Sequence, residues 1–129
     1  MIMKDELTSG PRTRPYRDLL AWQKAMALTR AVYLESESLP QKEHYGLQSQ
    51  MRRAAVSIPG NSAEGHGRLN DGHLRQFLAN ARGSLFELQT QLELAGDLKF
   101  LEAPKVAALM QQSEEVARII NGLLAALKV

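Results

Sequence analysis

The stretch DGHLRQFLANARGSLFELQTQLELAGDL, residues 71–98, decides the fold, because its apolar residues recur every three or four positions. The repeat consists of Leu74, Leu78, Ala81, Leu85, Leu88, Leu92 and Ala95. Residues at this spacing share one side of an α-helix, so the stretch predicts a long helix with one buried face. Asn70 is suited to its N-cap. Glycine inside a helix costs ~1 kcal/mol relative to alanine, so at Gly83 we expect the close approach of another helix.

Three further segments have the same helical periodicity. The first predicted helix covers about residues 18–39, with Asp18 as its N-cap. The second covers about residues 41–64 and contains Pro59, which removes a backbone hydrogen bond and so predicts a kink. The fourth starts near Pro104, since proline is favoured at the first helical position.

Four amphipathic helices with short connections predict an all-α fold, an antiparallel up-down-up-down four-helix bundle whose second helix is kinked near Pro59. We expect the bundle to span residues 18–129. Residues 1–17 contain glycine and prolines among charged residues and have no periodicity, so they predict a flexible N-terminal arm.

The composition limits the function classes. The 129 residues suffice for one domain with one core. The chain has no cysteine, which excludes disulfides, thiolate metal sites and a cysteine nucleophile, and is compatible with the cytoplasmic location that we expect. The first residues are charged where a signal peptide is apolar, and no apolar run reaches about 18 residues, so we expect no signal peptide and no membrane association.

Catalytic and metal-binding patterns are poorly matched. His66 and His73 are seven residues apart across a glycine-containing turn, whereas a helical zinc site uses ligands three or four residues apart. The segment Gly65–Gly67 lacks the spacing of a phosphate-binding glycine loop. We therefore predict no enzyme activity, no cofactor and no metal site.

Arginines are the strongest candidate functional residues. The net charge is only +2, but the range 48–82 contains five arginines and no lysine, and arginine suits the planar geometry of phosphate. Arg75 and Arg82 are seven residues apart and share a helix face, whereas the adjacent Arg52 and Arg53 point in different directions. The candidate nucleic-acid-binding residues are Arg52, Arg53, Arg68, Arg75 and Arg82.

The two phenylalanines of the third helix, Phe77 and Phe86, are assigned to packing. No aromatic platform then accompanies the arginines, so we expect them to contact phosphates without reading bases.

Polar residues also cluster around Pro59 and the facing part of the third helix. They are Ser57, Asn61, Glu64, Ser84 and Glu87. Buried polar groups must be hydrogen-bonded, so in the structural interpretation they satisfy the backbone freed by the kink and fix the helix register. The alternative is a small-ligand site built on the same residues.

Several short segments together resemble one known family. They are YRDL (16–19), AWQKA (21–25), EHYGL (43–47), QMRRAA (50–55), SIPGNSAEG (57–65), ARGSLFEL (81–88) and TQL (90–92). The chain resembles the four-helix bundle protein family, whose members are encoded in intervening sequences of bacterial 23S ribosomal RNA genes. The resemblance covers about residues 16–98, and the fourth helix matches only in its apolar pattern.

The resemblance implies an antiparallel bundle that assembles as a homopentamer and has no enzymatic activity. The chain is also similar to the accessory factors of diversity-generating retroelements, which are basic pentamers. That likeness implies RNA or DNA and a nucleic-acid enzyme, a reverse transcriptase, as partners.

Besides the small-ligand site near Pro59, two functional hypotheses remain open. In the first, the protein is a non-enzymatic homo-oligomeric scaffold whose basic face binds RNA or DNA non-specifically. In the second, it is a protein–protein adaptor without nucleic-acid binding, because the fourth helix is apolar on more than its core face.

Overall fold

The structure, a computed structural model, describes residues 14–68 and 70–127 and is all-helical over them. The four α-helices are α1 (Leu20–Ser36), α2 (Leu47–His66), α3 (Asp71–Asp97) and α4 (Ala103–Ala126). Short 3-10 helices precede the first two, at Pro15–Asp18 and Gln41–Glu43. No strand occurs within the two described ranges. The predicted all-α fold class is confirmed.

The helices form a four-helix bundle in which each helix packs against two others. α1 packs against α2 and α4, and α3 packs against the same two helices, so consecutive helices are neighbours. The short connections between them make these neighbours antiparallel. As the periodicity predicts, the heptad leucines, which are the leucines of the apolar repeat in α3, are almost completely buried from residue 78 onward: Leu78, Leu85, Leu88 and Leu92. Of the helices described, none is long and apolar enough to cross a bilayer.

α1 begins later than predicted. Its first residue is Leu20, and Leu19 rather than Asp18 occupies the N-cap position. The difference arises because Pro15–Asp18 forms a 3-10 helix, closed by a hydrogen bond from Leu19 N to Tyr16 O at 2.9 Å. Of the predicted arm, residues 1–13 lie outside the described residues.

α2 also begins later than predicted, at Leu47 instead of near residue 41. Residues 41–43 form a separate 3-10 helix, and the chain turns before α2 starts. Glu43 Oε1 then accepts a hydrogen bond from Leu47 N at 3.0 Å, which satisfies a backbone donor of the new helix. The N-cap of α3 is confirmed, because Asn70 Oδ1 accepts from His73 N at 2.8 Å.

Pro59 lies inside α2, which remains helical from Leu47 to His66. Proline has no N–H, so the carbonyl four residues earlier, that of Ala55, loses its helical partner. Thr29 of α1 replaces it: Thr29 Oγ1 donates to Ala55 O at 3.0 Å and also lies 2.8 Å from Ala25 O. The proline in α2 is therefore accommodated by a hydroxyl from the neighbouring helix.

Two glycines allow close helix approaches, but Gly83 does not. A Cβ on Gly65 would lie 2.8 Å from Phe77 Cβ, and a Cβ on Gly96 would lie 3.2 Å from a methyl group of α4. At Gly83 an added Cβ would meet nothing within 4 Å. The expected close approach there is wrong, because Gly83 is two residues from the buried Leu85 and so faces away from the core.

Candidate nucleic-acid interface

Arg75 and Arg82 lie in the groove between α3 and α4. Arg75 Nη1 donates to Leu124 O at 2.9 Å, and Arg82 Nη1 donates to Asn121 Oδ1 at 3.1 Å. Among residues 14–68 and 70–127, neither guanidinium forms a salt bridge with a carboxylate. Both side chains are thus oriented by neutral oxygens, and no carboxylate of the described residues offsets their charge.

Arg118 adds a third positive charge to this groove, and the sequence interpretation did not include it. It is exposed on α4, three residues before Asn121, so the two side chains are neighbours on the helix surface. Its spacing of three residues from Asn121 could have indicated this position. That spacing is useful only when one knows that Asn121 faces Arg82, which the sequence does not show. We call the surface formed by Arg75, Arg82 and Arg118 the basic groove.

Arg52 is held elsewhere in the molecule. Its Nη2 lies 3.0 Å from Glu37 Oε2 and 3.1 Å from Tyr33 O, and its Nε donates to Ser36 Oγ at 2.9 Å. The guanidinium carbon is 4.7 Å from the centre of the Tyr33 ring, within cation–π range. These contacts tie α2 to the carboxyl-terminal end of α1.

The remaining two candidate arginines also lie apart from the basic groove. Arg68, at the end of α2, lies 3.9 Å from the carboxylate of Glu64 and 4.7 Å from the centre of the Phe77 ring. Arg53 is exposed on α2. Of the five arginines selected from the sequence, the structure brings Arg75 and Arg82 into one groove.

Phe86 is more exposed than predicted. The sequence predicts that it packs in the protein, but 48% of it is accessible to solvent, so that prediction is wrong. It follows Arg82 by four residues, which places both side chains on the same face of α3. An aromatic side chain therefore does accompany the basic groove.

Three members of the predicted polar cluster form one hydrogen-bonded group. Ser57 Oγ lies 2.8 Å from Ser84 Oγ, which joins α2 to α3. Asn61 Nδ2 donates to both Ser57 O and Ser57 Oγ at 2.9 Å. The other two members lie outside this group: Glu64 pairs with Arg68, as described above, and Glu87 Oε1 accepts from Gln91 at 3.3 Å.

The hydroxyl that satisfies the backbone next to Pro59 belongs to Thr29, which the sequence interpretation did not select. The signal was present, because Thr29 is a polar residue within the otherwise apolar seam of α1.

An apolar groove opens between α1 and α2. It has a volume of about 550 Å³ and is lined by Tyr16, Trp22, Met26, Val56, Pro59, Gly60, Ala63 and Glu64. Tyr16 and Trp22 pack edge to face with their ring centres 5.2 Å apart. We call this surface the apolar groove. It includes the proline of α2, and its lining is mainly apolar, whereas that of the basic groove is positively charged.

The histidines are spread over separate sites. His44 Nδ1 lies 2.9 Å from Gln48 Oε1, and His73 lies at the start of α3 beside Asn70. In the part of the chain that the structure describes, no three histidine, aspartate or glutamate side chains are grouped to hold a metal ion.

Comparison with known proteins identifies a family and solved structures of similar fold. A family model described as 23S rRNA-intervening sequence protein matches residues 17–122. A crystal structure of a protein with unknown function from the S23 ribosomal protein family of Bacteroides thetaiotaomicron VPI-5482 has a TM-score of 0.75 to this structure. It is 17% identical in sequence, over 81% of this chain and 98% of that one, so the likeness concerns the fold alone. No curated protein matches the sequence.

Proposed function

Because the chain belongs to the 23S rRNA-intervening sequence protein family, we propose that it is a non-enzymatic homo-oligomeric scaffold that binds the phosphate backbone of RNA or DNA. The basic groove is the proposed binding surface. Contacts to phosphate fix the position of a protein on nucleic acid without reading its sequence.

The observation that carries this proposal is the way Arg75 and Arg82 are held. Their hydrogen-bond partners are a carbonyl and an amide oxygen, so each guanidinium is positioned without being neutralised. Each also has further N–H groups, since a guanidinium carries five donors in a planar fork. Phosphate oxygens accept such bidentate contacts well.

Exposed apolar side chains support the assembly of several copies. Four large hydrophobic residues among those described are at least half exposed: Leu20, Leu34, Tyr45 and Leu98. The apolar groove adds Trp22, Met26 and Val56, and apolar surface of this kind is typical of interfaces between copies. A ring of copies would also repeat the basic groove, and linked sites bind one long strand more tightly than a single site does.

The assembly is tested by measuring the mass in solution by light scattering. Given the family resemblance, we expect about five chains in a closed ring. A mass of one chain at micromolar concentration would contradict the assembly.

The nucleic-acid function is tested by titrating labelled RNA and DNA at several salt concentrations. We expect the logarithm of the affinity to fall linearly with the logarithm of the salt concentration, as counterions are released from phosphates. The double variant Arg75→Glu/Arg82→Glu should bind about 100-fold more weakly at low salt and lose about two units of that slope on duplex DNA.

The matched control is the double variant Arg30→Glu/Arg53→Glu, which changes the net charge equally at exposed positions outside the basic groove. We expect it to retain most of the affinity. Binding that is indifferent to salt, or an equal loss in both double variants, would contradict the proposal.

The apolar groove favours a second candidate function, a protein–protein adaptor without nucleic-acid binding. Trp22, Met26 and Val56 offer an aromatic and aliphatic surface of the kind enriched at protein interfaces. A protein partner that is recovered with the tagged chain after nuclease treatment would support this function. A partner that is lost with nuclease would count against it.

A further inference from the structure

The basic groove contains a side chain that phosphate binding does not explain. Phe86 is 48% exposed, whereas Leu85 and Leu88 beside it on α3 are buried. Aromatic surface in water is unfavourable, so a partner with an apolar face would gain free energy by covering the ring.

The position of Phe86 relative to the arginines defines what that partner is. Arg82 precedes Phe86 by one helical turn and contacts Asn121 across the groove. Because α3 and α4 are antiparallel, the turn of α3 that carries Phe86 lies across from the turn of α4 that carries Arg118. The aromatic ring thus lies in the same stretch of groove as two guanidiniums that no carboxylate of the described residues neutralises.

Two glycines leave the surface around this stretch of the groove open. Gly83 follows Arg82 on α3, and Gly122 follows Asn121 on α4. A Cβ at either glycine would meet no atom within 4 Å. Side chains therefore do not obstruct a flat group that approaches the ring from these sides.

We propose that Phe86 stacks on an unpaired base while Arg82 and Arg118 contact the adjoining phosphates, so that the groove binds single-stranded nucleic acid in preference to duplex. This rests on the proposed function and specifies its ligand. Every base has an aromatic face, so stacking needs no sequence. In a duplex both faces of a base are covered by its neighbours, so Phe86 has no base to contact.

The experiment compares Phe86→Ala with wild type on a short single strand of uridines, the corresponding thymidine strand, and a duplex of equal length. Stacking of one base corresponds to an affinity change of about tenfold. We expect Phe86→Ala to lose about tenfold on both single strands and to change less than about twofold on duplex. A preference between the two single strands then shows whether the ligand is RNA or DNA.

Two further variants separate stacking from mere burial of a hydrophobic residue. Phe86→Trp keeps an aromatic face and should restore single-strand affinity, and its added fluorescence should be quenched by the strand beyond the response of Trp22, the one tryptophan of the chain. Leu94→Ala removes a similarly exposed apolar residue of α3, 46% accessible, and should leave the affinity unchanged.

The outcomes distinguish failure of this inference from failure of the proposed function. If wild type binds neither strand nor duplex, the proposed function fails and stacking fails with it. If wild type binds with the expected salt dependence but Phe86→Ala has no effect, or loses strand and duplex affinity equally, stacking alone is overturned. A lower oligomer mass for Phe86→Ala would show that a second copy covers the ring, and would also overturn it.

Discussion

The end of the bundle where α1 meets α2 and the basic groove between α3 and α4 use the same residue type in opposite ways. Arg52 is paired with the carboxylate of Glu37 and bonded to the backbone and hydroxyl of α1. Arg75 and Arg82 are bonded to neutral oxygens. A guanidinium paired with a carboxylate has little net charge left to attract phosphate, whereas one that meets only a carbonyl or amide oxygen keeps a charge that can attract it.

The largest stability effect expected from this comparison is that of Arg52→Ala. The variant removes a charged donor from Tyr33 O and Ser36 Oγ, and hydrogen bonds to charged groups contribute ~1.5–3 kcal/mol. The exposed ion pair with Glu37 adds little. We expect the free energy of unfolding, measured by urea denaturation at fixed chain concentration, to fall by about 2 kcal/mol.

Arg82→Ala is the counterpart in the basic groove. It removes one exposed hydrogen bond to Asn121, so we expect a loss below about 1 kcal/mol in unfolding and a clear loss of nucleic-acid affinity. Arg52→Ala should leave that affinity unchanged, and Arg53→Ala, at an exposed neighbouring position, serves as control for both measurements. If Arg82→Ala destabilises the fold as much as Arg52→Ala, the distinction between the two regions is wrong.

The next effect concerns Thr29, which joins α1 to α2 beside the apolar groove. Thr29→Val keeps the shape but leaves Ala55 O without its donor, so we expect a loss of about 1–2 kcal/mol in the free energy of unfolding. Thr29→Ser retains the hydroxyl and should lose less.

A double-mutant cycle makes this prediction specific. In Pro59→Ala, residue 59 regains an N–H that can bond to Ala55 O along the helix. Thr29→Val should therefore cost less in that background than in wild type, by about 1 kcal/mol. Equal costs in the two backgrounds would show that the hydroxyl does not replace the missing backbone donor.

The elements that the sequence predicted well depend on local patterns. The heptad leucines and the cap at Asn70 place α3 correctly, because both signals lie within the helix itself. The start of α1 was wrong because the short turn around Pro15 competes with a cap at Asp18 over only a few residues. A difference of this size is usual at helix ends.

The contacts between helices could not be read from periodicity. Whether Arg75 and Arg82 meet carboxylates or neutral oxygens depends on how far α4 is shifted along α3, and a one-turn shift would bring other side chains opposite them. The exposure of Phe86 depends in the same way on where the edge of α4 lies. Periodicity predicts which side of a helix is buried but not where that buried side ends.

The smallest expected effect compares an exposed glycine beside each groove. Gly83 of α3 and Gly60 of α2 both lie within helices, and an added Cβ would meet nothing within 4 Å at either. Alanine should therefore raise the free energy of unfolding by about 0.5–1 kcal/mol at each position, through helix propensity alone.

The two variants should differ in their affinity for single strands. A methyl group at residue 83 stands beside Arg82, where a strand in the basic groove would pass, so Gly83→Ala should lower single-strand affinity slightly, whereas Gly60→Ala, in the apolar groove, should not. Equal affinities in titrations of the two variants would mean that the strand does not pass close to α3 at this point.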